Sequence, residues 1–461
     1  MRAETILEEI NIVEKPQLDI FNPNKYVEKD SNVLLNLVND YYASFEKTNP
    51  IKLINKRQFN TPVNFKQAKT SPIHRWYTYK EGFSPFFVKQ FIERFKTSDK
   101  NVVFDPFGGI GTTVVESQLL GFNAYSNDVN PLSNFIAKVK AEHYNEKDLA
   151  DLEKEKKNIN NHPFQTKKNP PDNETVASYF TEMTLDSVLK VQAYIDTLEN
   201  IKVRNLIFIA LLTILESIST HRKDGNGVKR KKNFKADFGI DKVTNLLINQ
   251  IDIFIFDLKN THFKSKSNIQ SQSSFEEYKL KQKADLVITS PPYANCFDYS
   301  KVYLIELWFG GFFKSKKDQK DFRESSIISH VHYKWNCRHL DFGHNLINKE
   351  IYDYLSEQNL WDRKIPQMLV GYFNDIGKVL FELSKNLNKG ATVGFVVGNS
   401  VYGGVPIATD ILLAEIGLKL GYEFIGIESY RTLTTSSQQQ KIIREQDKKF
   451  LRESLVILKW M

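Results

Sequence analysis

Residues 289–293 read Thr-Ser-Pro-Pro-Tyr and close a largely apolar run, Ala284 to Ile288. Proline cannot donate to a strand ladder, and each proline holds the residue before it in extended geometry. The run therefore ends in a stiff turn, with the Ser290 hydroxyl and a row of backbone carbonyls presented on one side. Tyr293 adds a flat aromatic face. Such a corner can hold a planar ring by stacking and accept hydrogen bonds from its exocyclic amine. A second chemical segment is the loop Asp105-Pro106-Phe107-Gly108-Gly109-Ile110-Gly111, set between a strand pattern and a helix pattern. Its glycines let the backbone turn sharply and approach a ligand closely. Asp128 ends the next strand pattern, where an acidic residue can accept from ribose hydroxyls. A carboxylate at Asp105 suits an ammonium group better than a pyrophosphate. That points away from NAD and toward a cofactor with an amino-acid tail, such as S-adenosylmethionine. No Walker-type Gly-Lys-Ser/Thr ending follows the loop, which argues against ATP.

The elements around these segments alternate. A strand at Asn101 to Phe104, a helix at Thr112 to Leu120 ended by Gly121, and a strand at Asn123 to Asn127 open a doubly wound α/β sheet. Further strands are expected near Asn268 to Gln272, Asp285 to Thr289, Thr392 to Val397, Phe424 to Ile427 and Ser454 to Lys459. Helices are expected near Ser31 to Phe45, after an N-cap at Ser84 with Pro85 in the first position, and at Ser300 to Phe309, Tyr372 to Leu387 and Thr409 to Leu420. Residues 1–70 form an arm or cap. Residues 71–140 form the first half of the α/β domain, and 141–265 a helical insertion carrying a basic loop. Residues 266–313 form its second half, 314–370 an irregular insertion rich in lysine and aromatics, and 371–461 the end of the sheet.

At 461 residues the chain can bury a large core, and 41% hydrophobic with 13% aromatic content excludes a disordered protein. A net charge of +8 is compatible with a polyanionic partner. The two cysteines, Cys296 and Cys337, are too few for a disulfide framework or a cysteine zinc site, which fits a reducing cytoplasm. No apolar run follows a basic start, so no signal peptide is expected. The most apolar stretch, Leu206 to Leu215, is too short for a membrane span and reads as a buried helix.

Asp-Pro-Phe-Gly-Gly-Ile-Gly-Thr-Thr at 105–113, taken with Thr-Ser-Pro-Pro-Tyr at 289–293, resembles the S-adenosylmethionine-dependent DNA amino-methyltransferases, the cytosine-N4 and adenine-N6 family of the Ser-Pro-Pro-Tyr type. The family's cofactor motif, Asp-Pro-Phe-x-Gly-x-Gly-Thr-Thr, is met with Gly108 and Ile110 in the variable slots. Its catalytic motif, (Asp/Asn/Ser)-Pro-Pro-Tyr, is met by Ser290 to Tyr293. The segment Tyr79 to Pro85 is similar to the family's extra cofactor-binding motif. The resemblance spans 74–140, 268–312 and 390–460. It implies an α/β fold: a doubly wound, mostly parallel seven-stranded methyltransferase sheet with a helical insertion and a small irregular target-recognition region.

It also implies a site. Asp105, Phe107, Gly109 and Gly111 would line the methionine part of S-adenosylmethionine. Asp128 would bind its ribose, with Val129 near its adenine. Tyr79, Phe83, Ser84, Pro106 and Thr112 would complete that site. The family often places an acidic residue at the end of the third strand, where this chain has only Gln272 or Ser273. Ser290, Pro291, Pro292 and Tyr293 would be catalytic and hold the target base. An exocyclic amine is a poor nucleophile because its lone pair is conjugated into the ring. Hydrogen bonds from its two hydrogens to Ser290 Oγ and the Pro291 carbonyl would favour a pyramidal nitrogen with the lone pair freed. In-line attack on a sulfonium methyl then depends mainly on placement, with no metal and no covalent enzyme intermediate. A cytosine-C5 mechanism needs a nucleophilic cysteine, usually after proline, whereas Cys296 follows Asn295 and Cys337 follows Asn336.

Ser290 in the position before the prolines favours cytosine N4 over adenine N6. Asp298, close by, reads as a helix-start residue or a polar contact to the base. The amine is unreachable inside a duplex, so the base must be flipped out. Phosphate contacts are expected from the basic loop, at Arg222, Lys223, Lys229, Arg230, Lys231 and Lys232. Base-edge contacts are expected from His330, Lys334 and Arg338, in a region whose histidine spacing fits no usual zinc pattern. The expected partner is double-stranded DNA, with a cognate restriction endonuclease as a candidate second one. The expected setting is the prokaryotic cytoplasm, with no membrane and no metal. Other readings are an adenine-N6 enzyme, an RNA base methyltransferase, or a non-catalytic DNA-binding subunit. RNA guanine enzymes with similar motifs more often carry Asp or Asn before the prolines and an N-terminal RNA-binding domain, for which the first seventy residues are too short. Intact Asp105, Asp128 and Ser290 speak against a non-catalytic subunit.

Overall fold

The computed structural model describes residues 31–49, 51–53, 65–98, 101–225, 227–234, 236–332, 349–434 and 437–461. Its strands in chain order are β1 (Ile51–Leu53), β2 (Val102–Asp105), β3 (Asn123–Asp128), β4 (His221–Asp224), β5 (Gly227–Arg230), β6 (Ser267–Ser271), β7 (Ala284–Thr289), β8 (Leu387–Gly398), β9 (Ser400–Tyr402), β10 (Val405–Ile407), β11 (Tyr422–Thr432) and β12 (Arg452–Trp460). One eight-stranded sheet has the order β1-β11-β12-β8-β7-β2-β3-β6. Strands β6, β3, β2, β7 and β8 are mutually parallel, while β12 runs antiparallel to both its neighbours, β8 and β11. The seven strands from β6 to β11 form the mostly parallel sheet that the resemblance implies. β1 pairs parallel with β11 and adds an eighth strand from the N-terminal arm, which three residues of sequence do not announce.

Both faces of the sheet are covered. Phe104 and Val287 point into one core with the helices Ser31–Thr48, Ile365–Lys385 and Thr409–Lys419. Their neighbours Val103, Leu286 and Ile288 point into the other, against the helices Pro85–Phe95 and Thr112–Leu120. This two-residue alternation with apolar side chains on both sides is what a parallel strand buried on both faces requires. A third core holds the inserted helices Glu182–Asp196, Ile201–Ile218 and Ile240–Asn260. Leu206 to Leu215 is the buried centre of the second of these. Ser84 caps helix Pro85–Phe95 by accepting from Phe87 N, with Pro85 in the first turn. Among the described residues no helix is long and apolar enough to cross a membrane.

Four expectations need correction. The segment 221–230 is a hairpin, β4 against β5, with His221 opposite Arg230 and Lys223 opposite Val228; its turn uses Gly225 at φ +51°. Residues 300–309 are not one helix but two short ones, Tyr299–Val302 and Leu304–Phe309. The break is at Tyr303, whose buried ring stacks on Tyr79 and whose hydroxyl bonds Glu81. Residues 314–370 contain regular helix: Lys316–Ser325 starts with a reciprocal Ser315/Asp318 capping box, and Lys349–Glu357 follows. The helix expected from Tyr372 begins earlier, at Ile365, with Pro366 in its first turn.

Candidate active site

β2 ends at Asp105, and the loop after it is held by its own backbone. Gly109 takes φ +49° and Gly111 φ +86°, and Gly111 stands in the N-cap position of helix Thr112–Leu120. A Cβ on Gly111 would lie 3.0 Å from Ala137 Cβ, so both space and conformation demand glycine there. Gly108 N donates to Asn127 O at 2.9 Å, tying the loop to the end of β3. A Cβ on Gly108 would lie 1.7 Å from Ser126 Oγ, so the close approach of loop and strand uses a position that the motif leaves variable. Asp128 Oδ2 accepts from Gly109 N at 2.8 Å, and its Oδ1 from Asn130 N at 2.7 Å. Asp105 Oδ2 accepts from Thr113 Oγ1 at 2.6 Å, and its Oδ1 from Phe107 N at 3.0 Å and Thr289 Oγ1 at 2.6 Å. The last bond fastens the glycine loop to the end of β7. Burial pushes both carboxyls up to about 6, although each of these hydrogen bonds pulls the other way.

One cleft joins this loop to the double-proline corner. It encloses about 970 Å³ including its open mouth, a size usual for small-molecule and cofactor sites. Around the glycine loop it is lined by Tyr79, Phe83, Asp105 to Ile110, Asp128, Val129 and Ser273 to Phe275. Ser290 and Pro292, beside the Thr289 that bonds Asp105, line it too, with Asp298, Tyr299, Phe322, Arg323 and His330. Its lining carries four carboxylates, Glu81, Asp105, Asp128 and Asp298, and one cation, Arg323, which pairs with Asp298. Burial also raises Glu81, partly offset by the Tyr303 hydroxyl.

The other end is a network of side chains. Asp298 caps the helix after the prolines, accepting from Ser300 N at 3.0 Å and Ser300 Oγ at 2.6 Å. Arg323 Nη2 donates to its second oxygen at 2.8 Å. Burial alone would raise Asp298, but His330, Ser300 and Arg323 outweigh it and hold the carboxyl below its ordinary range. His330 is buried, and that burial pushes it down to about 4 despite Asp298. Among the described residues no group of three or more His, Cys, Asp or Glu could hold a metal ion.

The chain is 28% identical to the type II methyltransferase M.BsoBI of Geobacillus stearothermophilus, over 82% of this chain and 84% of the relative. It is 29% identical to the type II methyltransferase M.AvaI of a Nostoc species, over 82% and 85% of the two chains. It is 23% identical to the type II methyltransferase M.MvaI of Kocuria varians, over 77% and 84%. Similarity along most of both chains supports a methyltransferase. No family model matches.

Of the residues singled out by sequence, Tyr79, Phe83, Asp105, Pro106, Phe107, Gly109, Thr112, Asp128, Val129, Ser273, Ser290, Pro292 and His330 line this one cleft. Ser84, Gly111, Gln272, Pro291 and Tyr293 are not among its lining residues. Ser84 is a helix cap, Gly111 the left-handed residue that starts helix Thr112–Leu120, and Gln272 Nε2 donates to Glu277 O at 2.8 Å. The basic segment divides in two. Arg222, Lys229, Arg230 and Lys232 lie toward solvent. Lys223 is not a free surface cation: it is buried, pairs with Glu306, and lies 4.5 Å from the Tyr303 ring centre. Lys231 Nζ donates to the carbonyls of Glu216, Ser217 and Ser219, closing the end of helix Ile201–Ile218. Both are structural, because each side chain lands on acceptors of the insertion or of the cleft wall. Lys334 and Arg338 lie outside the described residues.

Sequence reasoning missed Glu81, Ser274 and Arg323. Glu81 sits inside the Tyr79–Pro85 segment already marked, so its acidity was a usable signal. Ser274, whose hydroxyl bonds Pro106 O, and Arg323 reach the cleft only through tertiary folding.

Proposed function

We propose that this chain is a site-specific DNA methyltransferase that moves a methyl group from S-adenosylmethionine to the exocyclic N4 amine of a flipped cytosine, as the modification half of a restriction–modification system in a prokaryotic cytoplasm. The observation that carries it is that Ser290 and the glycine loop line the same cleft. The relatives named type II methyltransferases support the class of reaction and its biological setting.

The acidic lining fits a cationic cofactor: four carboxylates against one arginine, itself paired with Asp298, favour an ammonium or sulfonium and disfavour a pyrophosphate. When bound, S-adenosylmethionine supplies an electrophilic sulfonium methyl. Asp128 and the Gly109 region would hold its sugar side, Val129 and Ser273 its adenine, and Glu81 with Asp105 its amino-acid tail. Beside it, Ser290 Oγ, which lines the cleft, would accept a hydrogen of the target amine, hold it in line and free its lone pair. His330 and Tyr299 would wall the base in and exclude water. Burial keeps His330 neutral near pH 7, so it adds no positive charge that would oppose the positive charge building on the attacking amine nitrogen.

Cytosine is preferred to adenine by the hydroxyl at Ser290. The adenine reading leans on Asp298, a carboxylate in the same wall. Its oxygens already serve Ser300 and Arg323, which favours cytosine. The basic hairpin rests on the cleft wall through Lys223 and Tyr303, so its outward Arg222, Lys229, Arg230 and Lys232 are well placed to take phosphates beside a flipped base. The test is transfer of labelled methyl from S-adenosylmethionine into duplex DNA by the full chain. The expected result is label in cytosine, lost in Ser290→Ala with cofactor binding intact. Label in RNA but not DNA would overturn the proposal.

A further inference from the structure

We infer that Glu453 is a positioning residue for the reaction, acting through Tyr293 on the direction of the Ser290 hydroxyl. The inference rests on the base-methylation reading above. Glu453 lies on β12, 160 positions from Tyr293, and no local pattern marks it. The sheet register brings three residues into one row across three strands: Gly398 on β8 is opposite Glu453, and Glu453 is opposite Arg431 on β11. A register shift between Ser429 and Arg431 makes the second pairing, as a bulge re-aims a side chain.

Each member of the row has a part. Gly398 leaves room for the Tyr293 ring, since a Cβ there would lie 2.8 Å from two ring carbons. Tyr293 Oη donates to Glu453 Oε1 at 3.0 Å. Arg431 clamps the same carboxylate from the other side, Nε to Oε2 at 2.6 Å and Nη2 to Oε1 at 3.0 Å. Glu453 is buried. Ser290 Oγ then donates to Tyr293 Oη at 3.4 Å.

An ion-paired carboxylate can only accept, so it takes the single phenol proton. The phenol oxygen is left with lone pairs and can receive the serine proton. Ser290 therefore turns its proton away from the cleft and keeps a lone pair toward it, which is what an amine hydrogen needs. If the phenol proton were free, it could point at Ser290 instead. The serine proton would then swing into the cleft, where it would compete for the very lone pair that must attack. Tyr293 thus acts through its hydroxyl, while its ring packs against Gly398.

The experiment compares Tyr293→Phe, Glu453→Gln and the double variant in the full chain, by single-turnover methyl transfer to duplex DNA and by cofactor titration. Tyr293→Phe keeps the ring and its packing against Gly398, so it tests the chain of bonds even if Glu453→Gln folds poorly. In Glu453→Gln the amide oxygen would stay with Arg431 and the amide nitrogen would turn to Tyr293, reversing the direction of the chain. The expected result is a fall of roughly tenfold or more in the transfer rate of each single variant. KM for DNA and the cofactor dissociation constant should stay within about twofold, the mark of an interaction that matters only at the reacting centre. The double variant should be no slower than the slower single, because both changes cut one chain. Rates equal to wild type, additive losses, or losses confined to cofactor binding would each overturn the role of Glu453. A wild-type chain that methylates no nucleic-acid base would instead overturn the underlying reading, and this inference with it.

Discussion

The glycine-loop end of the site and its Ser290 end, joined where Thr289 bonds Asp105, are built by opposite means. The glycine end comes largely from residues 105–130, and its bonds run mainly through the backbone: Gly108 N to Asn127 O, Gly109 N and Asn130 N to Asp128. The charge on its lining is negative. The Ser290 end draws on residues from 290 to 330, with Glu453 behind it. Its bonds run from side chain to side chain: Arg323 to Asp298, Ser290 to Tyr293, Tyr293 to Glu453. One end is a shape that only certain backbone angles allow. The other is a set of polar groups that each need a distant partner. A substitution at the first should act on cofactor affinity and local stability, and at the second on rate.

Breaking the wall shared with the insertion should have the largest effect. Lys223→Met leaves Glu306 buried without its partner, and a broken buried pair costs about 3–5 kcal/mol. Chemical denaturation should read a loss of that size. An unchanged midpoint would mean that the hairpin does not anchor the cleft. Ser290→Ala comes next, with a fall in transfer rate of roughly a hundredfold to a thousandfold and unaltered cofactor affinity. Equal loss of both would erase the division between the two ends. Gly111→Ala should cost about 1–3 kcal/mol, since the φ of +86° and the closeness of Ala137 both resist a side chain; thermal unfolding checks it.

Titration separates the ends more gently. Asp105 and Asp128 sit at about 6, so they take up protons and lose charge as pH falls below that value. A cationic cofactor should then bind less tightly, by about tenfold between pH 7 and pH 5. His330, pushed down to about 4, stays neutral across this window, and so the base end should not titrate with it. Calorimetric affinities that are flat from pH 7 to pH 5 would contradict an acidic cofactor end. The smallest effect is at the surface. Replacing Arg222, Lys229, Arg230 and Lys232 with alanine should flatten the dependence of log K for DNA on log salt, by about one unit for each phosphate no longer neutralised. An unchanged slope would move the phosphate-binding surface elsewhere.

The same contrast explains how far the sequence could be read. The strands near 102–105, 123–128 and 284–289 and the helix Thr112–Leu120 were legible because apolar alternation and glycine stops are local. The glycine loop was legible because φ values such as that of Gly111 disfavour other residues. β1 was not, since a three-residue edge strand has no periodicity of its own. The inward lysines Lys223 and Lys231 were indistinguishable by type from the outward Arg222 and Arg230; only tertiary folding decides which of them finds Glu306 or a helix end. Arg323 and Glu453 were invisible for a related reason. Their partners, Asp298 and Tyr293, lie on other elements, and no spacing rule links them.

We propose that this cleft carries a methyl group to the exocyclic amine of a cytosine in DNA. Mass spectrometry of nucleosides from the DNA of cells expressing the chain tests it directly. The expected result is N4-methylcytosine, absent when Ser290→Ala is expressed instead. N6-methyladenine in its place would contradict the choice of base, and no methylated base in DNA at all would contradict the claim itself.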